Sequence, residues 1–564
     1  MLKNLLLLVT IFISTSLSAQ IWDGGGDNTS WDMATNWSPD EVPGEGATIT
    51  FPNSITANVT GSAPNLIRRI IFDTLSNVTL DLDLNFDIAG NGHLLTLNKD
   101  ANVTLGGTSD MRTFNLETGI SRNALLLNSN GISLTITEQA ILNIGACQNG
   151  FRISRESATI VNNGTINMID YVEHGINLSE GTFTNNGTIE IGTGMVDGEP
   201  TSDGINIENG VFDNNAEGVI TVTKPLDNGL QILGIFNNAG TISTISKDDA
   251  EDDNSGLVVG STNSEGIMNN LAGGVINADG GLSEENRVFT IQNSGILNNA
   301  GEINVSNGNL GQALFNLGNL NNDLCGHINL IECRIANNNE AMLSNNGLIN
   351  SSFTGSGINN GASAINNAFF GYTNTNSAFA GGNVEGVDNG QKTGEGIVVD
   401  AENSCTITDI GIDASYTWYT DIAGTVEAGT NDANGLLIFN NDVFPISGTQ
   451  TLYTCFGEGV QLVVENVLGE CAVLTGVDFI QLTDAFTMMP NPAQAFTQIK
   501  FGDEYIAKEK SIEVYNAVGQ LVQAANLDNV DNYILHTSDL ASGVYTVNLQ
   551  TEKGMQIERL VIQK

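Results

Sequence analysis

Short apolar stretches broken by Gly and Asn run along most of this chain. Within a stretch the apolar residues occupy every second position, as in Ile205, Asn206 and Ile207. A period of two is typical of strands with one buried face. No 3.6-residue stripe accompanies it, and Gly and Asn recur too often for helices. The pattern therefore predicts an all-β protein.

A pair of adjacent Asn residues recurs every 23 to 32 residues in the middle of the chain, followed by Gly and a β-branched residue. Each repeat predicts three short strands. One repeat cannot bury its own apolar face, whereas stacked repeats can. We therefore predict a parallel β-helix over residues 49–400, with a weaker repeat before residue 145. The pairs begin at Asn162, Asn185, Asn214, Asn237, Asn269, Asn298, Asn321 and Asn345.

The Asn pairs suit sharp corners, because Asn tolerates the left-handed backbone conformation. Stacked in register, their amides can hydrogen-bond from coil to coil as a ladder, each bond contributing about 1 kcal/mol net. A row of Asn that binds sugar is the alternative.

Residues 20–48 contain three Trp residues, Trp22, Trp31 and Trp37, among Gly, Asn and Pro. The segment resembles the entry region of bacterial β-helical surface proteins and adhesins. We expect it to cap the exposed solenoid edge, as solenoids require. A Trp platform for stacking sugars is the alternative.

Residues 1–19 have the features of a signal peptide: Lys3, a short apolar run, and small residues ending at Ala19. No later segment predicts a membrane span. The six Cys residues show no CxxC spacing, so a zinc site is not expected, and an oxidising destination allows disulfides. A Cys325–Cys333 bond and a pair among Cys405, Cys455 and Cys471 are both open.

Strand-like segments separated by turns continue after the repeats. Residues 401–482 predict a small β-sandwich spacer. Residues 483–564 alternate as strands again, with Met489-Pro490-Asn491-Pro492 at the start and Arg559-Leu560-Val561-Ile562-Gln563-Lys564 at the end. Over 486–564 these motifs resemble the type IX secretion (Por) C-terminal sorting domain, type A.

That resemblance implies an immunoglobulin-like sandwich recognised by the type IX outer-membrane translocon and its sortase-like peptidase. It also implies that the protein is secreted, either attached to the cell surface or released. The motif residues it assigns are Pro490, Asn491, Pro492, Gly519, Gly543, Tyr545 and Lys564.

The formal net charge is −45. Nucleic acid is therefore not an expected partner, since no basic stripe exists to neutralise phosphates. Divalent cations, cationic surfaces and neutral glycans stay open as partners, as does a pure solubility role for the charge.

The repeats differ in length because of inserts after the Ile-x-Ile strand, and we expect these inserts to stack at one edge. Many are acidic, which suits weak extracellular calcium binding, with a solvated rim as the alternative. The candidate calcium ligands are Asp248, Asp249, Glu251, Asp252 and Asp253.

Catalytic groups on such a scaffold would need paired carboxylates or a base near acids. Glu173, His174, Asp203 and Lys224 are candidates, and His174, Asp203, Asn228 and Ser255 occupy the same position in successive repeats. No hydrolase or lyase signature is present. We therefore expect a non-enzymatic adhesin or structural surface protein without a resident cofactor. The alternative is a carbohydrate-active enzyme or glycan-binding protein, whose partner is a surface polysaccharide or a host glycan.

Overall fold

Three parallel sheets wind around one core in the computed structural model, forming a β-solenoid of about 12 turns. Each coil passes through the first, second and third sheet in turn and then rises to the next coil. The structure describes residues 19–64, 66–86, 92–117, 119, 122–192, 203–223, 225, 227–246, 255–280, 289–307, 312–338, 340–372, 379–380, 383–386, 390–392, 397–402, 406–439, 448–456, 460–467, 485–502, 510–516, 520–527, 529–551 and 554–564. These residues fall into two compact units, one up to Val467 and one from Ala485 onward.

The three sheets have 16, 14 and 13 strands. The first contains Ala19–Trp22, Trp37–Ser38, Thr48–Phe51, Arg69–Phe72, Leu95–Leu97, Leu125–Leu127, Cys147–Ile153, Tyr171–Leu178, Asp203–Ile207, Leu230–Ile232, Leu257–Val259, Ile291–Asn293, Gln312–Asn316, Arg334–Asn337, Ile358–Asn360 and Phe379–Ala380. The second contains Thr56–Thr60, Asn77–Asp81, Asn102–Leu105, Ser133–Ile136, Thr159–Asn162, Thr182–Asn185, Val211–Asn214, Ile235–Asn238, Ile267–Asn270, Ile296–Asn299, Asn319–Asn322, Met342–Asn345, Ser363–Asn366 and Asn383–Gly386. The third contains Leu84–Asn85, Arg112–Glu117, Ala140–Gly145, Thr165–Met168, Thr188–Ile191, Val219–Thr223, Thr241–Ile245, Val275–Asp279, Glu302–Ser306, His327–Ile331, Leu348–Ser351, Phe369–Tyr372 and Gly390–Lys392.

Apolar side chains fill the interior in columns, because alternate residues of every strand point inward. Ile166 and Ile189 stack in register in the third sheet and are fully buried. In the second sheet Phe183, Phe212 and Phe236 stack at 4.8 Å between ring centroids. The predicted parallel β-helix is confirmed.

The corner between the second and third sheets holds a continuous buried amide ladder, as predicted. From Asn162 to Asn345, each Asn of the ladder donates Nδ2–H to Oδ1 of the Asn in the next coil, at 2.7 or 2.8 Å. We call this set the inner ladder. Its members are Asn162, Asn185, Asn214, Asn238, Asn270, Asn299, Asn322, Asn345 and Asn366.

At the N-terminal end, the Trp-rich segment packs into the core. Trp22, Trp31 and Trp37 are each 0% exposed, and Trp22 and Trp31 both contact Trp37 edge to face at 4.8 Å. The strand Trp37–Ser38 runs antiparallel to Ala19–Trp22 and forms the outer edge of the first sheet. The alternative of a Trp platform for sugars is wrong, because the rings have no solvent-exposed face. Residues 1–18 of the predicted signal peptide lie outside the described residues, and Ala19 begins the first strand.

Length variation between coils is not confined to one corner, so that part of the prediction is wrong. The connection from the first to the second sheet has seven residues at 260–266 but two at 233–234. The connection from the second to the third sheet has two residues at 239–240 and four at 271–274. The longest inserts do lie between the third and first sheets.

Beyond the solenoid, a seven-stranded, mainly antiparallel sheet belongs to the same compact unit. Its strands are Ile397–Asp400, Thr406–Ile407, Thr417–Tyr419, Glu427–Asn431, Leu437–Phe439, Gly448–Tyr453 and Gln461–Val467. A disulfide joins Cys455 of this part to Cys325 in a solenoid corner. Cys325 therefore does not pair with Cys333, whose buried thiol donates to Val305 O.

The C-terminal unit has two antiparallel sheets. One contains Phe486–Met489, Phe496–Phe501 and Asn532–His536. The other contains Lys510–Tyr515, Leu521–Leu527, Gly543–Thr551 and Gly554–Ile562. Its core is built from alternating residues such as Ile512 and Val514 on one strand and Val547 and Leu549 on the next.

Candidate functional site

A column of polar side chains follows the corner where the third sheet leads into the first. Asn149 is in register with His174, and His174 with Asp203. The predicted alignment of His174 with Asp203 is therefore confirmed, and hydrogen bonds continue it through Asn228 to Ser255. A Gly follows each member because the backbones of successive coils approach closely there: a Cβ on Gly175 would lie 2.6 Å from Gly204 O.

Asp203 is the centre of this column. Its Oδ1 accepts hydrogen bonds from Asn228 Nδ2 at 3.1 Å and Asn228 N at 3.2 Å. Its Oδ2 lies 3.3 Å from His174 Nδ1, although the two atoms are poorly aligned for a hydrogen bond. The exposed fractions of the His174 and Asp203 side chains are 15% and 9%. The buried carboxylate is thus held by neutral donors in the next coil and faces an imidazole.

The column also contains residues that sequence reasoning missed. Asn149 Nδ2 donates to Asn123 Oδ1 and to Glu173 Oε2, both at 2.9 Å, and Gln148 Nε2 donates to Glu173 Oε1 at 2.6 Å. The signal that identifies Asn149 is Gly150, which sits one position later as in the other coils.

The hydrogen bonds of this polar column are interrupted between Asn149 and His174. Two buried atoms there, Asn149 Oδ1 and Tyr171 Oη, have no hydrogen-bond partner. Burial, reinforced by the charge of Asp203, raises the pKa of Tyr171, so the phenol stays neutral. This part of the column therefore contains a carboxylate, an imidazole and a phenol, side chains of types that can act in proton transfer. Lys224, the fourth catalytic candidate, lies outside the described residues.

The acidic inserts that prompted the calcium prediction connect the third sheet to the first. All five candidate ligands, Asp248, Asp249, Glu251, Asp252 and Asp253, lie outside the described residues, so the calcium site stays a prediction. Among the residues that the structure does describe, no group of three or more His, Cys, Asp or Glu is placed to hold a metal ion.

In the C-terminal unit, the opening motif and the last strand hold each other. Asn491 Nδ2 donates to Arg559 O at 2.6 Å, and Val561 N donates to Asn491 Oδ1 at 2.8 Å. Ala493 N then donates to Val561 O at 2.8 Å. One side chain therefore extends the backbone pairing between the two ends of the domain.

The other motif residues fix the turn beside this strand. Tyr545 Oη donates to Ala541 O at 3.0 Å. Lys564 N donates to Ser542 Oγ at 3.1 Å, and Lys564 Nζ donates to Ser538 O. Pro490 and Pro492 flank Asn491, and Gly543 begins the strand that contains Tyr545. Gly519 lies outside the described residues.

Comparison with known families matches residues 487–563 to the secretion system C-terminal sorting domain. Residues 487–563 are a type IX sorting domain. The sequence-based assignment over 486–564 is thus confirmed. The sorting domain directs the protein to the cell surface or outside the cell, and it is handled by the type IX secretion machinery.

The family match does not extend to the solenoid. No curated protein matches this sequence. In the described part of the chain, no helix has the length and apolar character needed to cross a membrane. The role of the solenoid must therefore be argued from its own surface.

Proposed function

We propose that this protein is a non-enzymatic adhesin or structural component of the cell surface, in which the solenoid is a rigid display scaffold. The observation that supports the proposal most directly is the inner ladder, which links nine coils through buried amides. With about 12 turns at ~4.8 Å per coil, the solenoid spans roughly 60 Å. A stiff element on a secreted chain suits presentation of a binding surface away from the membrane.

Attachment of cells tests this proposal. A host strain that lacks the gene is compared with strains complemented by the full chain or by the chain without residues 486–564. We expect the deletion strain to lose attachment to polysaccharide-coated surfaces, and only the full chain to restore it. Normal attachment or an unchanged cell surface in the deletion strain would refute the proposal.

A carbohydrate-active enzyme is the second candidate, and it is supported by His174 facing the buried Asp203 beside Tyr171. The purified chain is incubated with neutral and acidic polysaccharides, and new reducing ends and unsaturated products are measured. Turnover that His174→Gln abolishes, while Asn304→Ala on a distant coil leaves it intact, would establish the enzyme. Unchanged polysaccharide would exclude it for those substrates.

A further inference from the structure

A groove of about 450 Å³ crosses the outer face of the third sheet in the N-terminal half of the solenoid. Its lining includes three Asn side chains in a row, Asn115, Asn143 and Asn167, with Ile169 and two carboxylates, Glu117 and Asp170, beside them. Neither the sorting domain nor the inner ladder involves this surface.

The row of amides is fixed by hydrogen bonds between coils. Asn143 Nδ2 donates to Asn115 Oδ1 at 2.8 Å, and Asn167 Nδ2 donates to Asn143 Oδ1 at 2.9 Å. An Asn amide has two N–H donors and an oxygen with two lone pairs. The two bonds of this row use one N–H donor and one oxygen lone pair of Asn143. This central amide therefore keeps one donor and one acceptor for a ligand. The rungs repeat at ~4.8 Å along the solenoid.

The groove also has an apolar side. Ile169 is 57% exposed at the end of the third-sheet strand, next to Asp170, whose backbone is left-handed with φ 60°. Only residues 169–170 connect the two sheets in this coil, and only Ala146 does so in the coil below. In several later coils the same connection has eleven residues, as at 192–202, 246–256 and 280–290.

We propose that this groove binds a neutral polysaccharide, a step that rests on the proposed adhesive function. A sugar ring presents hydroxyl groups at its edge and C–H groups on its face. The free donor and acceptor of the central rung match neighbouring hydroxyls, Ile169 packs against a C–H face, and the carboxylates accept hydroxyl hydrogens. Two carboxylates in a chain of net charge −45 repel acidic polymers.

Isothermal titration of the full chain with neutral hexasaccharides tests the groove. The probes are β-1,4-linked glucose, xylose and mannose hexamers, with an oligouronate as the acidic comparison. We expect at least one neutral hexamer to bind and the oligouronate not to bind. Asn143→Ala with Ile169→Ser should weaken binding by at least about tenfold, because each lost contact contributes about fivefold.

The matched control changes the same two strand positions farther along the third sheet, outside the groove. Asn304 is the middle rung of an equivalent row, with bonds of 2.9 and 2.8 Å to Asn277 and Asn329. Ile331 is 52% exposed at the register position of Ile169. Asn304→Ala with Ile331→Ser should leave binding within about twofold of the unmodified chain, and circular dichroism of both variants should match it.

Three results would overturn the proposal of a glycan-binding groove: no neutral hexamer binds the unmodified chain, both double variants weaken binding equally, or only the oligouronate binds. A titration with calcium alone is run as a comparison. Heat from calcium with none from any hexamer also excludes a glycan site.

The proposed adhesive function fails separately, when the deletion strain attaches normally although purified protein binds the hexamer. If cells that carry the groove variant attach normally while the deletion strain does not, the groove alone is refuted.

Discussion

At the scale of single residues, the buried Asn amides explain why this solenoid tolerates so much Asn. Each member of the inner ladder is enclosed, and every member between Asn162 and Asn366 pairs with the ladder amides of both neighbouring coils. Asn238, for example, is 0% exposed, accepts from Asn214 Nδ2 and donates to Asn270 Oδ1, both at 2.8 Å. A buried amide is stabilising only when it is paired, so every rung depends on its neighbours.

Changing one rung should therefore cost more stability than changing the part-buried Asn beside it. We expect Asn238→Ala to lower the free energy of unfolding by about 1–3 kcal/mol, since the buried Asn270 Oδ1 loses its donor. Asn237→Ala is the control, because Asn237 forms a part-buried outer row with Asp213 and Asn269. It should cost at most about 1 kcal/mol. Urea unfolding with hydrogen exchange over residues 235–245 measures both; equal losses would contradict a special role for burial.

The sequence predicted the ladder but not which Asn of each pair forms it. The buried member is the first in Asn185-Asn186 and the second in Asn237-Asn238. The buried Asn stands two or four positions before the Gly of its corner, except at Asn366, which has Ala368 in place of that Gly. That Gly must be close to the coil below: a Cβ on Gly187 would lie 2.1 Å from Gly164 O. The presence of two adjacent Asn residues was therefore a weaker signal for the buried position than the geometry of the corner.

The two buried thiols give a second prediction at this scale. Burial raises the pKa of Cys147 and of Cys333 to about 12, against 9.0 for an ordinary thiol. The reactive thiolate is therefore scarce in the folded protein. We expect no alkylation of either residue by iodoacetamide at pH 8.5 and full alkylation in urea, measured by peptide mapping. Equal labelling in both conditions would show that the sites open readily.

At the scale of elements, alternation and repeat length were enough to predict stacked three-strand coils. They were not enough to predict the disulfide, whose two Cys residues are 130 positions apart, because a sequence gives no distance between separate elements. The first sheet has its own buried amide row, which includes Asn293, Asn316 and Asn337. Asn293 and Asn316 are single Asn residues, so this row did not show the regular pairs that marked the inner ladder. The sequence did not predict the groove either. Each of its amides is one outward-facing residue on a strand of the third sheet, and such polar residues occur on every strand with one buried face.

The disulfide fastens the seven-stranded sheet to the solenoid corner. Beside it, Tyr416 Oη donates to Asn346 O, and the Tyr416 ring lies 5.1 Å from that of Phe369. Replacing Cys325 and Cys455 by Ser should destabilise this junction by about 2–5 kcal/mol. We expect faster proteolysis and hydrogen exchange in residues 406–439, with unchanged protection in residues 162–300. Reduction of the unmodified chain is the control and should give the same pattern; unchanged exchange in both would mean that packing alone holds the sheet.

At the scale of the whole molecule, the solenoid and the sorting domain that directs delivery belong to separate compact units. The described residues form two compact units with their own cores. Sequence motifs were sufficient to identify the sorting domain because its turns and strand ends require particular residues, as Asn491 shows. The solenoid surface offers no comparable motif, since many outward side chains satisfy the same fold. Export is therefore established by sequence, whereas the ligand is not.

Removing residues 486–564 should leave the solenoid folded and abolish surface delivery. We expect the truncated chain to keep its β-type circular dichroism and its urea midpoint, and to accumulate in the periplasm of a host with type IX secretion. Asn491→Ala should lower surface display in part, because it removes both side-chain bonds to the terminal strand, worth about 1–3 kcal/mol together. Asn532→Ala is the matched control, since the exposed Asn532 amide bonds only to Asp531 among the described contacts. Fractionation and surface proteolysis measure delivery. Normal surface amounts of the truncated chain would contradict the sorting role, and equal losses in both Asn variants would contradict the part assigned to Asn491.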